Sequence, residues 1–214
     1  LARVAAACPD VLFESCASGG NRFDLGMLCY MPQIWASDDT DAYERQKIQT
    51  GTSYGYPQCV VGAHVSASPN HQTARQSPLE ARFDVAAFGL LGYELDLAVA
   101  SPVEKKMMAA QISWYKAHRE VLQQGRFYRL QSPFEADGSR GTETRETRWM
   151  VVSEDRTEAV AGEFQGLVVP NSARRPLRLT GLSPQRMYTV TVRPERIAIK
   201  TFGSLLNQIL PVHV

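Results

Sequence analysis

Four short apolar runs punctuate the first half of the chain, and each stops at a cluster of polar or small residues. The first, Val11-Leu12-Phe13, is closed by Glu14-Ser15-Cys16-Ala17-Ser18-Gly19-Gly20-Asn21, and the second, Pro32-Gln33-Ile34-Trp35-Ala36, by Ser37-Asp38-Asp39-Thr40-Asp41. The third, Gln58-Cys59-Val60-Val61-Gly62-Ala63-His64-Val65, runs into a polar loop over 66–76, and the fourth, Leu91-Gly92-Tyr93-Glu94-Leu95-Asp96-Leu97, alternates with a period of two. Short apolar runs bounded by turn residues fit strands covered on both faces, the condition of a parallel sheet. Helix starts fall between and after them. Asp41 with Glu44, Ser77-Pro78 with Glu80, and Ser101-Pro102 with Glu104 each have the spacing of a capping box. The first helix is expected to reach about Gln49, and the third to bury Met108, Ile112, Tyr115 and Leu122, which recur at three-to-four spacing. Repetition of strand, polar loop and helix predicts a parallel β/α architecture, with chemistry at the carboxyl ends of the strands.

From Gly125 the pattern changes to short runs rich in β-branched and aromatic residues: 127–130, 149–152, 159–164, 177–179 and 187–192. Turn clusters separate them, so an antiparallel β-sandwich is expected after an α/β part, with the division at 1–123 and 124–214. The charged stretch over 140–148 reads as a solvated hairpin. With 214 residues, 44% hydrophobic and 21% charged, the chain can bury a substantial core, which excludes disorder and a small disulfide scaffold. Lys and Arg number 23 against 22 Asp and Glu, and no basic stripe is interleaved with aromatics, so no nucleic-acid partner is expected. Apolar stretches such as 84–97 are broken well before the roughly 18 uncharged residues of a membrane span, so no membrane partner is expected either. Cys8, Cys16, Cys29 and Cys59 form no CxxC pair and have no His at zinc-finger spacing; they read as buried free thiols. Leu1 to Cys8 reads like the middle of a helix with no Met or N-cap, so the native N-terminus is expected to lie upstream.

The stretch Phe13-Glu14-Ser15-Cys16-Ala17-Ser18-Gly19-Gly20-Asn21-Arg22-Phe23-Asp24, continued by Trp35-Ala36-Ser37-Asp38-Asp39-Thr40-Asp41, resembles the family 36 retaining α-galactosidases. The resemblance continues through Ile48-Gln49-Thr50-Gly51-Thr52-Ser53, Gly62-Ala63-His64-Val65-Ser66, Phe88-Gly89-Leu90-Leu91-Gly92-Tyr93-Glu94, Phe127-Tyr128-Arg129-Leu130 and Trp149-Met150-Val151-Val152-Ser153, and covers most of the chain. It implies the C-terminal half of a (β/α)8 TIM barrel followed by an antiparallel β-sandwich. It also implies hydrolysis of terminal α-linked galactose from raffinose-type oligosaccharides or melibiose, without a cofactor. The family's nucleophile belongs to a Lys-Trp-Asp triplet that occurs nowhere in this sequence, so it is expected upstream and the isolated chain is expected to be inactive. Asp38 matches the family's general acid/base. Cys16 and Ser18 match a loop lining the galactose pocket; many members have Gly where Ser18 stands, which leaves the hydroxyl contacts at that point open. The resemblance further implies a homo-oligomer, such as a tetramer, and a cytoplasmic location is expected. An α-N-acetylgalactosaminidase, an α-galactosyltransferase and a non-catalytic fragment are the alternatives.

The residues also have readings of their own. A carboxyl at a strand end can protonate a glycosidic oxygen and later deprotonate water if a second carboxylate lies about 5 Å away, and that neighbour holds its pKa up. In the family motif that this stretch resembles, Asp39 falls at a position that is Asn or Asp, while Asp41 by its spacing reads as a helix cap. Gly19 reads as a tight turn at positive φ, which is compatible with lining a pocket. Arg22 and Asp24 read as a pair bracing the loop behind the sugar contacts. Trp35 is placed either to stack on sugar or to fill the barrel wall. His64 and His71, seven residues apart with no third ligand, read as hydrogen-bonded loop residues, and no metal is expected.

Overall fold

The computed structural model describes residues 1–16, 18–19, 21–137, 142–143, 146–166 and 176–193. Its first half is a run of parallel staves. Strand β1 (Glu14–Ser15) pairs in parallel with β2 (Gln33–Ile34), Ile34 bridges to Val61, and β3 (Gly62–Ser66) pairs in parallel with β4 (Leu90–Glu94). Helix α1 (Ala2–Ala7) precedes them, and α2 (Leu25–Leu28), α3 (Ala42–Thr52) and α4 (Leu79–Ala86) supply the crossovers that parallel pairing requires. Helix α5 (Pro102–Gln124) follows β4.

Alternation along β3 and β4 sorts their side chains. Ala63 and Val65 pack into the core with Leu91 and Tyr93, so Gly62, His64, Ser66, Gly92 and Glu94 share the opposite face. The helix starts differ in construction. Ser101 and Glu104 complete a reciprocal capping box on α5. At α3, Asp41 accepts from the Tyr43 and Glu44 amides, but Glu44 turns to Arg75 rather than back to the cap. At α4 the expected Ser77 cap is absent: Pro78 takes the cap position with no side-chain bond, and the Ser77 amide bonds to Ser68 Oγ instead.

Several expectations are corrected. The first strand lies at Glu14–Ser15 rather than over 11–13, because its partner begins at Gln33; Val11 and Leu12 are exposed. Gln58–Val60 is a 3-10 turn, so the third strand starts at Gly62. On α5, Gln111 takes the buried position expected of Ile112 and accepts from Tyr93 Oη at 2.8 Å. The cysteines are free but not buried: Cys8, Cys16 and Cys29 are exposed and Cys59 is half-buried, since the loops that carry them lie outside the packed cluster.

After α5 the chain forms a three-stranded antiparallel sheet in the order β5 (Arg126–Gln131), β8 (Glu146–Val152), β9 (Ala159–Gln165). A two-stranded ribbon, β6 (Ala136–Asp137) with β7 (Thr142–Glu143), joins the first two. Among the described residues the runs expected as strands at 177–179 and 187–192 pair with no strand, with Met187, Val190 and Val192 exposed. They form a strap. Tyr188 Oη donates to the Arg156 carbonyl, and Arg193 returns to pair with Asp84 over the rings of Phe83 and Trp114. The expected charged hairpin over 140–148 lies partly outside the described residues, and its end is not solvated: Arg148 is buried and pairs with Glu163 at 2.8 Å.

One core joins the staves to this sheet. Trp149, fully buried on β8, meets Phe88 at 5.4 Å and Phe164 at 4.9 Å between ring centres, in a cluster that includes Val65, Phe83 and Leu122. Its indole N–H donates to Thr50 Oγ1 of α3 at 3.1 Å. Thr50→Val preserves shape but leaves that N–H without its acceptor, so a loss of about 1–3 kcal/mol in urea unfolding is expected. A neutral result would show that the bond contributes nothing net.

Candidate active site

The loops at the carboxyl ends of β1 and β2 meet through their backbones. The Ser15 carbonyl accepts from the Trp35 amide at 2.9 Å, extending the β1–β2 pairing to the point where both strands turn. Beyond it the chain turns back at Ser18 and Gly19, with φ of 50° and 68°. Gly19 lies so close to the second loop that a Cβ there would sit 2.5 Å from the Asp38 nitrogen and 2.9 Å from Ser37 Cα. Only glycine combines that approach with a left-handed φ at little cost. Cys16, Ser18, Gly19 and Asp38 are therefore gathered at one rim, with Cys16, Ser18 and Asp38 exposed.

The Asp38 loop is wound by its neighbours. Ser37 Oγ accepts from the Asp39 amide at 3.1 Å, and Asp39 Oδ1 accepts from the Asp41 amide at 2.9 Å, which leaves Asp38 at the tip. Thr40 is buried, and its carbonyl accepts from Ser66 Oγ at 3.1 Å while Asn70 donates to its hydroxyl. Asp41, 2% exposed, caps α3 and also receives Thr73 Oγ1 and Arg75 Nη1, each at 2.5 Å. Burial pushes its pKa up, but the bonds from Thr73, the Tyr43 amide and Arg75 outweigh burial and hold it below the ordinary 3.8. Asp41 is thus a fastener between the Asp38 loop and the loop after β3.

Trp35 is 8% exposed, with its ring stacked on His64 at 4.3 Å and the Arg45 guanidinium over it at 4.1 Å. His64 stands in β3, within the third apolar run, and is hydrogen-bonded there rather than in a loop: its Nδ1 is 2.9 Å from Glu94 Oε2. That ring needs Gly92 on the neighbouring stave, where a Cβ would lie 2.6 Å from His64 Cδ2. His71 is exposed in the following loop, and among the described residues no three His, Cys, Asp or Glu side chains are grouped to hold a metal. The expected Arg22–Asp24 pair is replaced by other bonds: Asp24 caps α2, accepting from the Met27 amide at 2.8 Å, and Arg22 contributes its carbonyl to Ser15 Oγ at 3.4 Å. Sequence reasoning missed Arg45 and the Trp35–His64–Glu94 group; the one available signal was a glycine inside an apolar strand, which marks a close approach.

Parallel staves whose loops converge on an exposed carboxylate at the carboxyl rim define a β/α enzyme scaffold. The family model described as Melibiase matches residues 1–125, more than half of the chain, and that of the glycosyl hydrolase family 36 C-terminal domain matches residues 146–209. The chain belongs to the Melibiase family. It is 50% identical over 182 residues to α-galactosidase AgaA of Geobacillus stearothermophilus, covering 85% of this chain and 24% of that protein. It is 43% identical over 180 residues to α-galactosidase Mel36A of Lactobacillus acidophilus, covering 84% and 23%. The crystal structure of the α-galactosidase from Lactobacillus brevis superposes with a TM-score of 0.80 at 52% identity, over 86% of this chain and 24% of that one. A variant of AgaA in complex with raffinose superposes at 0.79 and 48% identity, over 85% and 24%. The chain spans about a quarter of the length of these relatives, and the likeness to them supports a TIM-barrel part followed by a C-terminal domain.

Gly19→Ala must displace the peptide at Ser37 and Asp38, so hydrogen exchange over 37–39 should rise while that of α5 stays unchanged; equal exchange in both would mean that the two loops do not press on each other. Because the folded pKa of Asp41 lies below 3.8, its carboxylate stabilises the fold above that pH and loses the contribution as pH falls through the folded value. Asp41→Asn, which retains a cap acceptor, should flatten the stability curve below about pH 4. Asp41→Ala should add a pH-independent loss of about 0.5–2 kcal/mol for the cap. Urea midpoints across this range check both.

Proposed function

We propose that this chain supplies the general acid/base and part of the galactose-binding loop of a retaining α-galactosidase acting on raffinose-type oligosaccharides or melibiose. The observation that carries this reading is the contact of the Gly19 turn with the Ser37–Asp38 peptide, which sets an exposed carboxyl beside the loop of Cys16 and Ser18. Membership of the family and the α-galactosidase names of its relatives supply the substrate class.

The carboxylic acid of Asp38 gives its proton to the glycosidic oxygen as the bond from that oxygen to C1 breaks and a second carboxylate bonds to C1. The departing sugar leaves as a neutral alcohol. Asp38, now a carboxylate, takes a proton from water as the water oxygen attacks C1 and releases the second carboxylate, so the product keeps the α configuration. The second carboxylate is assigned to a segment beyond this chain, as the sequence resemblance implies. Cys16, Ser18 and the Gly19 backbone are assigned to the sugar hydroxyls. Trp35, with its ring stacked on Arg45 and His64, offers a sugar an edge at most.

Asp38→Ala in the full-length protein should lower kcat on melibiose by roughly 10² to 10⁴-fold. Aryl α-galactosides whose leaving group needs no proton should keep most of their kcat/KM. With azide present the variant should release α-galactosyl azide, since azide displaces the carboxylate from C1 of a β-linked intermediate. Wild-type kcat on melibiose would remove Asp38 from the role, and a β-galactosyl azide would overturn the retaining mechanism.

A further inference from the structure

Arg45 has no part in the chemistry above, yet its side chain is buried beneath the loop that bears Asp38. From the first turn of α3 it reaches back to the end of β2, where Nη2 donates to the Ser37 carbonyl at 3.0 Å. That carbonyl belongs to the peptide whose nitrogen is that of Asp38, the same peptide that Gly19 abuts. Nη1 lies 3.5 Å from the Gly62 carbonyl and Cζ stands 4.1 Å over the Trp35 ring, while Nε finds no acceptor among the described residues.

Held this way, the cation is expensive. Among the described residues no carboxylate oxygen comes within ion-pair distance of it. Burial draws its pKa down to about 10, against the more distant pull of Asp39, Glu94 and Asp38, so it stays charged at neutral pH. An apolar side chain of similar length would fill the space with less desolvation. A guanidinium provides what such a chain lacks, a planar fork that stacks on an indole and donates to a carbonyl at once.

We propose that Arg45 is a positioning residue for Asp38. By tying the Ser37 carbonyl to the Trp35 ring it fixes the peptide from which Asp38 projects, and so keeps that carboxyl aligned with the glycosidic oxygen. The proposal rests on the acid/base reading of Asp38.

Misalignment of an acid harms proton delivery, so its signature is a dependence on the leaving group. Arg45→Lys and Arg45→Gln in the full-length protein, with rates taken per mole of folded protein, should lose about 10²-fold in kcat/KM for melibiose. For 2,4-dinitrophenyl α-galactoside, whose leaving group needs no proton, the loss should be only a few-fold. Equal losses on both substrates overturn the assignment, because a merely structural role lowers both together. Asp38→Ala measured beside them separates the two ideas. If it shows leaving-group dependence and the Arg45 variants do not, the role of Arg45 falls alone; if it shows none, the acid/base reading falls too. Should neither Arg45 variant fold, a crystal structure of the full-length protein with a galactose-configured inhibitor decides. Retention of the Arg45–Ser37 bond with Asp38 facing the ligand supports the proposal, and withdrawal of either group overturns it.

Discussion

A stripe of polar side chains along α3 fastens the rest of the structure. Asp41, Arg45 and Gln49 recur every four residues, with Thr50 beside them, and all four are buried. Asp41 ties the helix start to Thr73 and Arg75, Arg45 holds the Ser37 carbonyl, Gln49 donates to the Val85 carbonyl at the end of α4, and Thr50 receives the Trp149 indole. Each bond is worth little net, but each would leave a buried group unsatisfied if its partner moved. The stripe therefore sets the position of α3 against two loops, a neighbouring helix and the C-terminal sheet.

This fastening bears directly on the site. The Asp38 loop is specified by contacts from several directions: the Gly19 turn and the Arg45 guanidinium on its backbone, Ser66 on the Thr40 carbonyl and Asn70 on the Thr40 hydroxyl. A carboxyl at the tip of a loop so constrained projects from a fixed backbone, which is what the proposed role of Asp38 as general acid asks of it. The His64–Glu94 pair and the Trp35 ring fill the face below, and the room for His64 comes from Gly92.

The sheet of β5, β8 and β9 is joined to the staves rather than appended to them. Trp149 stands among Phe88, Phe127 and Phe164, and the strap ending at Arg193 crosses back to Asp84 and the ring of Phe83. Motion of the sheet would open the same core that supports α4 and α5.

The parallel β/α order, the caps at Asp41 and Ser101, and the neighbourhood of Asp38 were legible in the sequence, because strand-forming runs, capping spacing and a long motif are local signals. The sequence placed Cys16, Ser18, Gly19 and Asp38 at strand ends, and the chain does bring those loops together. What it could not decide was anything resting on pairs far apart in the chain. Arg45 carried no signal of its own in the sequence, and its role arises only where Ser37, Trp35 and Gly62 close over it. The runs at 177–179 and 187–192 have strand-like composition but find no partner strand among the described residues, and a strand exists only where a partner offers its hydrogen bonds. Burial of a polar side chain, and pairing of an extended one, are properties of what folds against it, and only the tertiary structure supplies that.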